Sequence, residues 1–257
     1  MAESKNEKGS SITRVLEILE MLSKAERPMA PADIAHYLGI PKPSIHRLLQ
    51  QLEADSFLQV DLRGLWGPGT KLHGLAWSVL RNQRFRNERL AVLRALAEKI
   101  GETCGLSIPQ GLDMVYADRA QANWPLQIYL PEGSQVPIWC TASGKLYLSS
   151  FPRPQRDRIL SKLPLTRMTR NTLCDPDKLK AELDLTAERG MGVDNEEFID
   201  GMVACSVPVL DQQGVMLACL FVHAPMLRVS IEQLIAFRPL LNDAASELAA
   251  LSSVTDA

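Results

Sequence analysis

From Ile12 the apolar residues Ile12, Val15, Leu16, Ile18, Leu19 and Leu22 recur mostly at helical spacing behind the cap residues Ser10 and Ser11, predicting a helix to about Lys24. After the turn AERPM, Pro31 suits a first helical turn. Ile34, Ala35 and Leu38 form the stripe of a short second helix that Gly39 can close. A third helix is predicted after IPKP, where Ile45, Leu48, Leu49 and Leu52 recur at i, i+3, i+4 and i+7. That apolar face leaves Ser44, His46, Arg47, Gln50 and Gln51 pointing away from the core. Phe57, Leu58 and Val60 then read as a strand, 61–64 as a turn, and Leu65 with Trp66 as a return strand ending at GPG. Three helices and a hairpin, in that order, make a winged helix-turn-helix.

Between 71 and 100 the period is helical again, through Leu72, Leu75, Ala76, Val79 and Leu80, then Leu90, Leu93, Leu96, Ala97 and Ile100. The polar stretch RNQRFRNER interrupts it, so a linker helix followed by the first helix of a second domain is expected. Beyond Gly101, strands are predicted at 104–108, 114–117, 126–130, 203–210 and 215–223. Helices are predicted near 142–150, 154–161, 176–189 and 230–252. The expected division is a DNA-binding domain over 1–69, a linker helix over 70–86 and a second domain over 87–257, which suits a chain of 257 residues.

Composition narrows the class. Hydrophobic residues are 46% and charged residues 23%, the balance of a folded globular chain. The longest apolar run, 215–222, falls well short of the ~20 residues of a membrane helix, and the N-terminal MAESKNEKGSS has no apolar signal core. A cytoplasmic protein without a membrane partner is expected. The five cysteines, Cys104, Cys140, Cys174, Cys205 and Cys219, include no CxxC pair and read as structural thiols, with no metal and no cofactor implied. Net charge is −2, and residues 1–67 carry eight Lys or Arg against nine Asp or Glu. DNA affinity must therefore come from where the cations lie and from doubling the contacts by dimerisation.

A third helix held by Ile45, Leu48 and Leu49 presents Ser44, His46, Arg47 and Gln50 as a polar ridge able to donate to phosphates or base edges. Lys42 adds a cation at the helix start, and Arg63 stands at the hairpin tip, within reach of the DNA backbone or minor groove. The competing reading is a solvated surface helix; the complete order of helices and wing favours DNA. Farther along, Thr141, Ala142, Ser143 and Gly144 are small residues opening a helix. Free backbone N–H groups there can meet a carboxylate, although an ordinary capped helix start explains them equally well.

The stretch SITRVLEILEMLSKAERPMAPADIAHYLGIPKPSIHRLLQQLEADSFLQV resembles the DNA-binding half of the IclR family of bacterial regulators. PIWCTASGK and RGMGVDNEEFIDGMVACSVPVLD are similar to two further segments of that family, in the same order along the chain. Trp139, Cys205 and Leu210 depart from the family pattern. The resemblance implies an α+β protein: an N-terminal winged helix-turn-helix, a linker helix, and a C-terminal GAF-like α/β effector-binding domain with a mainly antiparallel sheet. It also implies a homodimer or homotetramer and a small-molecule effector bound beside Ala142, Ser143 and Gly144. Asp194, Met202 and Ala204 are implied to lie near that cavity, and Ile128 and Leu130 of the expected strand 126–130 complete its lining. On the strand GVMLACLFVHA, alternation puts Cys219, Phe221 and His223 on one face. A ring at Phe221 and a donor at His223 favour a planar or aromatic carboxylic acid, against core packing for both.

No enzyme is expected. The position five residues before Gly144 is Trp139, so the GK at 144–145 is no phosphate loop, and GxSxG, HExxH and GxGxxG are absent. Asp194, Glu196 and Glu197 follow one another in a loop with no His or metal pattern, so no catalytic residue is assigned. The alternative to an effector-controlled DNA-binding regulator is a winged-helix module that binds proteins.

Overall fold

The computed structural model describes residues 10–252 except 26, 62, 81 and 82. The chain divides into two compact units between residues 82 and 83, a point inside the linker expected over 70–86.

In the first unit, helix α1 (Ser11–Lys24) starts where Ser10 Oγ accepts from the Thr13 N–H at 3.2 Å. Helix α2 (Pro31–Tyr37) opens on proline, and Gly39 follows it at φ +62°, a left-handed turn that glycine adopts without strain. Helix α3 (Lys42–Ala54) begins with Lys42 and Pro43 in its first turn. Its Ile45, Leu48, Leu49 and Leu52 are buried against Ile18, Leu22 and Ile34. Strands β1 (Leu58–Val60) and β2 (Trp66–Pro68) form the antiparallel wing, closing the same core with Leu58 and Trp66. Met29 pairs with Trp66 on the outer side. Burial of each such side chain stabilises the unit by roughly 1.5–3 kcal/mol, which fixes the outer face of α3 indirectly. The apolar period of α1 is only partly used, since Ile12 and Leu16 are exposed. Helix α4 (Thr70–Leu80) likewise leaves Leu75 and Val79 exposed.

The second unit opens with helix α5 (Gln83–Ile100) and strands β3 (Thr103–Gln110), β4 (Asp113–Ala120) and β5 (Gln135–Pro137). Helices α6 (Ala142–Ser149), α7 (Arg153–Leu160) and α8 (Pro176–Arg189) follow, then strands β6 (Gly192–Asn195), β7 (Met202–Leu210) and β8 (Met216–Pro225), and helices α9 (Ile231–Ala236) and α10 (Arg238–Ser252). The strands form one antiparallel sheet in the order β5-β4-β3-β8-β7-β6. One face packs on α5, α9 and α10 through Leu93, Leu96, Val203, Val207, Leu220 and Leu241. The other carries α6 and, beyond it, α8.

Residues 126–130, expected as a strand, form an irregular connection instead. Two arginines hold that connection: Arg228 Nη1 donates to the Leu126 carbonyl at 2.9 Å, and Arg119 Nη2 donates to the Ile128 carbonyl at 3.3 Å. Strands β5 and β6, three and four residues long, had too little alternation to be predicted. The helix expected over 230–252 is two, broken at Phe237. Between Leu106 and Ser107 the β3–β4 register shifts: Leu106 pairs with Asp118 and Ser107 with Tyr116, which leaves one extra residue in β4. Such a bulge reverses which face the following residues point to.

Candidate functional site

On α3, Lys42, His46 and Gln50 are exposed at i, i+4 and i+8, a single stripe along one flank of the buried face. Arg47 is exposed beside it, at the mouth of a groove it shares with Ser11, Val15 and Gln51; Ser44 is half-buried. The sequence-assigned residues of α3 thus come together on one surface. Arg63 is exposed at the wing, but its Nε and Nη2 donate to Asp61 Oδ2 at 3.0 and 2.8 Å. Asp61 in turn accepts the Leu65 N–H, which with Arg63 holds its carboxyl below the usual carboxylate range. Arg63 therefore reaches outward with its charge already met inside the turn.

In the second unit, strand alternation sends Asp194, Ala204 and His223 to the α6 side of the sheet. Cross-strand pairing sets them in one row with Thr103: Asp194 opposite Ala204, Ala204 opposite His223, His223 opposite Thr103. The next row on this face holds Ser206, Phe221, Gly105 and Arg119. Adjacent strands lie ~4.8 Å apart, so Asp194 and His223 flank the small Ala204 across roughly 10 Å.

Asp194 Oδ1 accepts the backbone N–H groups of Glu197 and Phe198 at 2.7 and 3.3 Å, while its buried Oδ2 has no partner among the described residues. Burial, with the Glu197 charge adding to it, pushes its carboxyl up to about 7. His223 is buried, and neither ring nitrogen has a hydrogen-bond partner among the described residues. Burial, with the Arg119 charge adding to it, pulls its imidazole down to about 3, so the ring is neutral. A satisfied core histidine is therefore not what the strand holds. Phe221 stacks on Tyr116 with centroids 4.3 Å apart and lies near-parallel to His223 at 5.8 Å, so both neighbours compete with any ligand ring. Its ring fits only because Gly105 lacks a side chain: a Cβ there would stand 2.5 Å from Phe221 Cζ.

The small residues of α6 serve a purpose the sequence reading missed. A Cβ on Gly144 would lie 2.1 Å from the Ile138 carbonyl oxygen, and one on Gly192 would lie 1.9 Å from that of Ala142. The room expected for a ligand at Gly144 is thus taken by backbone, and its N–H is capped by Thr141 Oγ1 at 3.2 Å. Ser143 is buried and donates to Ser206 Oγ at 3.4 Å, and its carbonyl accepts from Cys219 Sγ. Cys219 accordingly packs under α6. Leu130 packs on the α6-side core and Ile128 is half-buried, its carbonyl accepting from Arg119, whereas Met202 is buried at the far end of this face. Lys145, also unassigned from sequence, is buried with its ammonium on Glu197, and Glu182 stands at 3.4 Å. A lysine inside a pattern of otherwise apolar burial was the only signal for it. No group of metal-ligating side chains occurs among the described residues, nor is any described helix long and apolar enough to cross a membrane.

Two family models match the chain: the IclR helix-turn-helix domain over residues 11–62, and the C-terminal domain of the bacterial transcriptional regulator IclR over 77–250. A Cupriavidus necator protein named "Probable transcriptional regulator SauR" is 38% identical over 244 residues, covering 95% of this chain and 97% of its own. The crystal structure of Thermotoga maritima IclR superposes with a TM-score of 0.61 at 26% identity, covering 93% of this chain and 97% of that one. The inducer-binding domain of the Acinetobacter transcription factor PobR, a double mutant in complex with 3-hydroxybenzoic acid, gives 0.58 at 27% identity over 62% of this chain and 94% of its own.

Proposed function

The chain belongs to the IclR family of bacterial transcriptional regulators, which are not enzymes, and from that premise we propose how it reads DNA and what controls it. Residues 1–69 bind an operator, 70–86 connect, and 87–257 bind the effector and oligomerise; the protein works in the cytoplasm. Helix α3 enters a major groove with Lys42, Ser44, His46, Arg47 and Gln50, while Arg63 on the wing contacts the backbone. The observation that carries this is the exposed stripe of α3, held outward by the buried face it flanks. Arg47→Ala is expected to weaken binding to operator DNA by ~1–3 kcal/mol, confined to one base position if Arg47 reads a base and uniform if it grips phosphate. Gel shifts on duplexes from beside the gene measure this. Unchanged affinity in the variant removes α3 as the reader. Affinity that does not fall between low and high salt favours the protein-binding module instead.

The effector is a carboxylic acid bound on the α6 side of the sheet among Ile128, Leu130, Ala142, Ser143, Asp194, Met202, Ala204, Cys219, Phe221 and His223. The unpartnered Asp194 Oδ2 and His223 nitrogens support this, because leaving buried polar groups unmet costs about 1–3 kcal/mol each. The hydroxybenzoate bound to the PobR domain supports trying aromatic acids first.

The protein acts as a homodimer or homotetramer. Ile12 and Leu16 on α1, and Leu75 and Val79 on α4, are exposed apolar residues suited to a seam between copies. Two half-sites one turn apart also require paired readers. Light scattering at micromolar concentration is expected to return a dimer or larger; a monomer with and without DNA contradicts it.

A further inference from the structure

Arg119 is a half-buried cation with no carboxylate at ion-pair distance among the described residues, although the charge of Glu132 acts on it from farther off. Arg86, Arg89, Arg156, Arg189 and Arg228 each meet a carboxylate, whereas Arg119 forms no ion pair among the described residues. Its Nη2 donates to the Ile128 carbonyl at 3.3 Å, its guanidinium lies 5.2 Å from the centre of the Tyr129 ring, and its buried Nε has no hydrogen-bond partner among the described residues. The bulge at Leu106 and Ser107 is what brings it to the α6 side. Asp118 and Ala120, its neighbours in β4, point to α5 and the opposite core, while Arg119 pairs across Gly105 toward Phe221. His223 follows Phe221 by two residues on that same face, fully buried and with both nitrogens unmet.

A cation and a neutral imidazole on one face of the sheet, each with hydrogen-bonding capacity unused among the described residues, make a receptor for one anionic group. Such charge-assisted hydrogen bonds are roughly twice as strong as neutral ones. We propose that Arg119, with His223 in the next row of the same face, is the anchor for the effector's carboxylate, so that the helix start at α6 is not the charge-binding end of the site. The rest of the molecule then lies along the row past Ala204, its smallest side chain, and Asp194 beyond it meets a hydroxyl or second polar group. This rests on the effector face assigned above and adds the residue that selects for charge.

The test uses the full chain and four acids, acetate, glycolate, benzoate and 4-hydroxybenzoate, each beside its own amide at constant ionic strength. Stabilisation on thermal melting is converted to Kd by titration. At least one acid is expected to raise the melting temperature while its amide does not. Arg119→Gln is expected to weaken that acid about tenfold to a hundredfold, as loss of a hydrogen bond to a charged group does. Arg119→Lys, which keeps the charge but loses the fork and Nε, is expected to fall in between and carries the test if the glutamine variant does not fold. A panel in which no acid outdoes its amide overturns the anchor. An acid response that survives Arg119→Gln but is lost in Ala204→Leu overturns the anchor and leaves the effector face standing. A response that survives both overturns the face itself.

Discussion

Gly192→Ala is expected to melt the second unit about 10 °C below the wild type, a loss of more than ~3 kcal/mol. The added Cβ would sit 1.9 Å from the Ala142 carbonyl oxygen and 3.0 Å from Leu146 Cβ. Neither neighbour can move cheaply. The carbonyl belongs to the first turn of α6, which Thr141 caps and which Ser143 ties to Ser206, while Gly192 is paired to Ser206 in the sheet. Helix and strand must therefore separate along their whole contact to admit one methyl group. Thermal denaturation followed by circular dichroism measures the loss. Gly74→Ala, on an exposed part of α4 with nothing within 4 Å of the added Cβ, serves as the control and should be neutral or slightly stabilising. If the two variants melt alike, close packing of α6 on β6 is not what glycine serves at 192.

Lys145→Met is expected to cost about 3–5 kcal/mol near pH 8, because it strands the carboxylate of Glu197 in a buried position. Burial already raises the Glu197 carboxyl above its ordinary value, with Lys145 opposing that rise. Without the ammonium the folded-state value rises further. A carboxyl whose folded value lies above its unfolded one gives stability that is complete below the unfolded value, 4.5, and lost as pH climbs through the folded one. The penalty of Lys145→Met should therefore shrink as pH is lowered from 8 toward 5. Adding Glu197→Gln should recover part of the loss at pH 8 and remove most of its pH dependence. Urea denaturation of the two variants at both pH values measures this, and a penalty independent of pH would mean that Lys145 acts by packing alone. The stake extends past stability: Glu197 supplies the N–H that Asp194 accepts, and its carbonyl is held by the Thr169 and Thr172 hydroxyls. Loosening this loop moves one polar end of the effector face.

Much of the first unit was legible from periodicity because its elements are local. Ile45, Leu48, Leu49 and Leu52 lie on one helix, so their spacing alone decides which side of α3 is buried and which side carries Lys42, His46 and Gln50. The face shared by Cys219, Phe221 and His223 was legible for the same reason, since strand alternation is strict within β8. The expected strand at 126–130 failed because Leu130 packs on the α6-side core from an irregular connection whose carbonyls are taken by the Arg119 and Arg228 side chains, bonds that no apolar pattern encodes.

Sequence by itself determined the order of helices and wing, the inward and outward sides of each long element, and, through three ordered motifs, the family. Tertiary structure alone decided what the small residues at α6 are for, because the atoms that crowd Gly144 and Gly192 come from backbone six residues before the one and fifty before the other. It also decided that His223 is buried without a hydrogen-bond partner among the described residues, since satisfaction of a polar group depends on every element packed around it. Arg119 is the sharpest case. Strict alternation along β4 from Tyr116 puts residue 119 with Val115 and Ala117, away from Phe221. One extra residue, inserted where β3 and β4 pair, turns it over, because a side chain's face in a sheet is counted from its neighbour's hydrogen bonds and not from its own place in the chain.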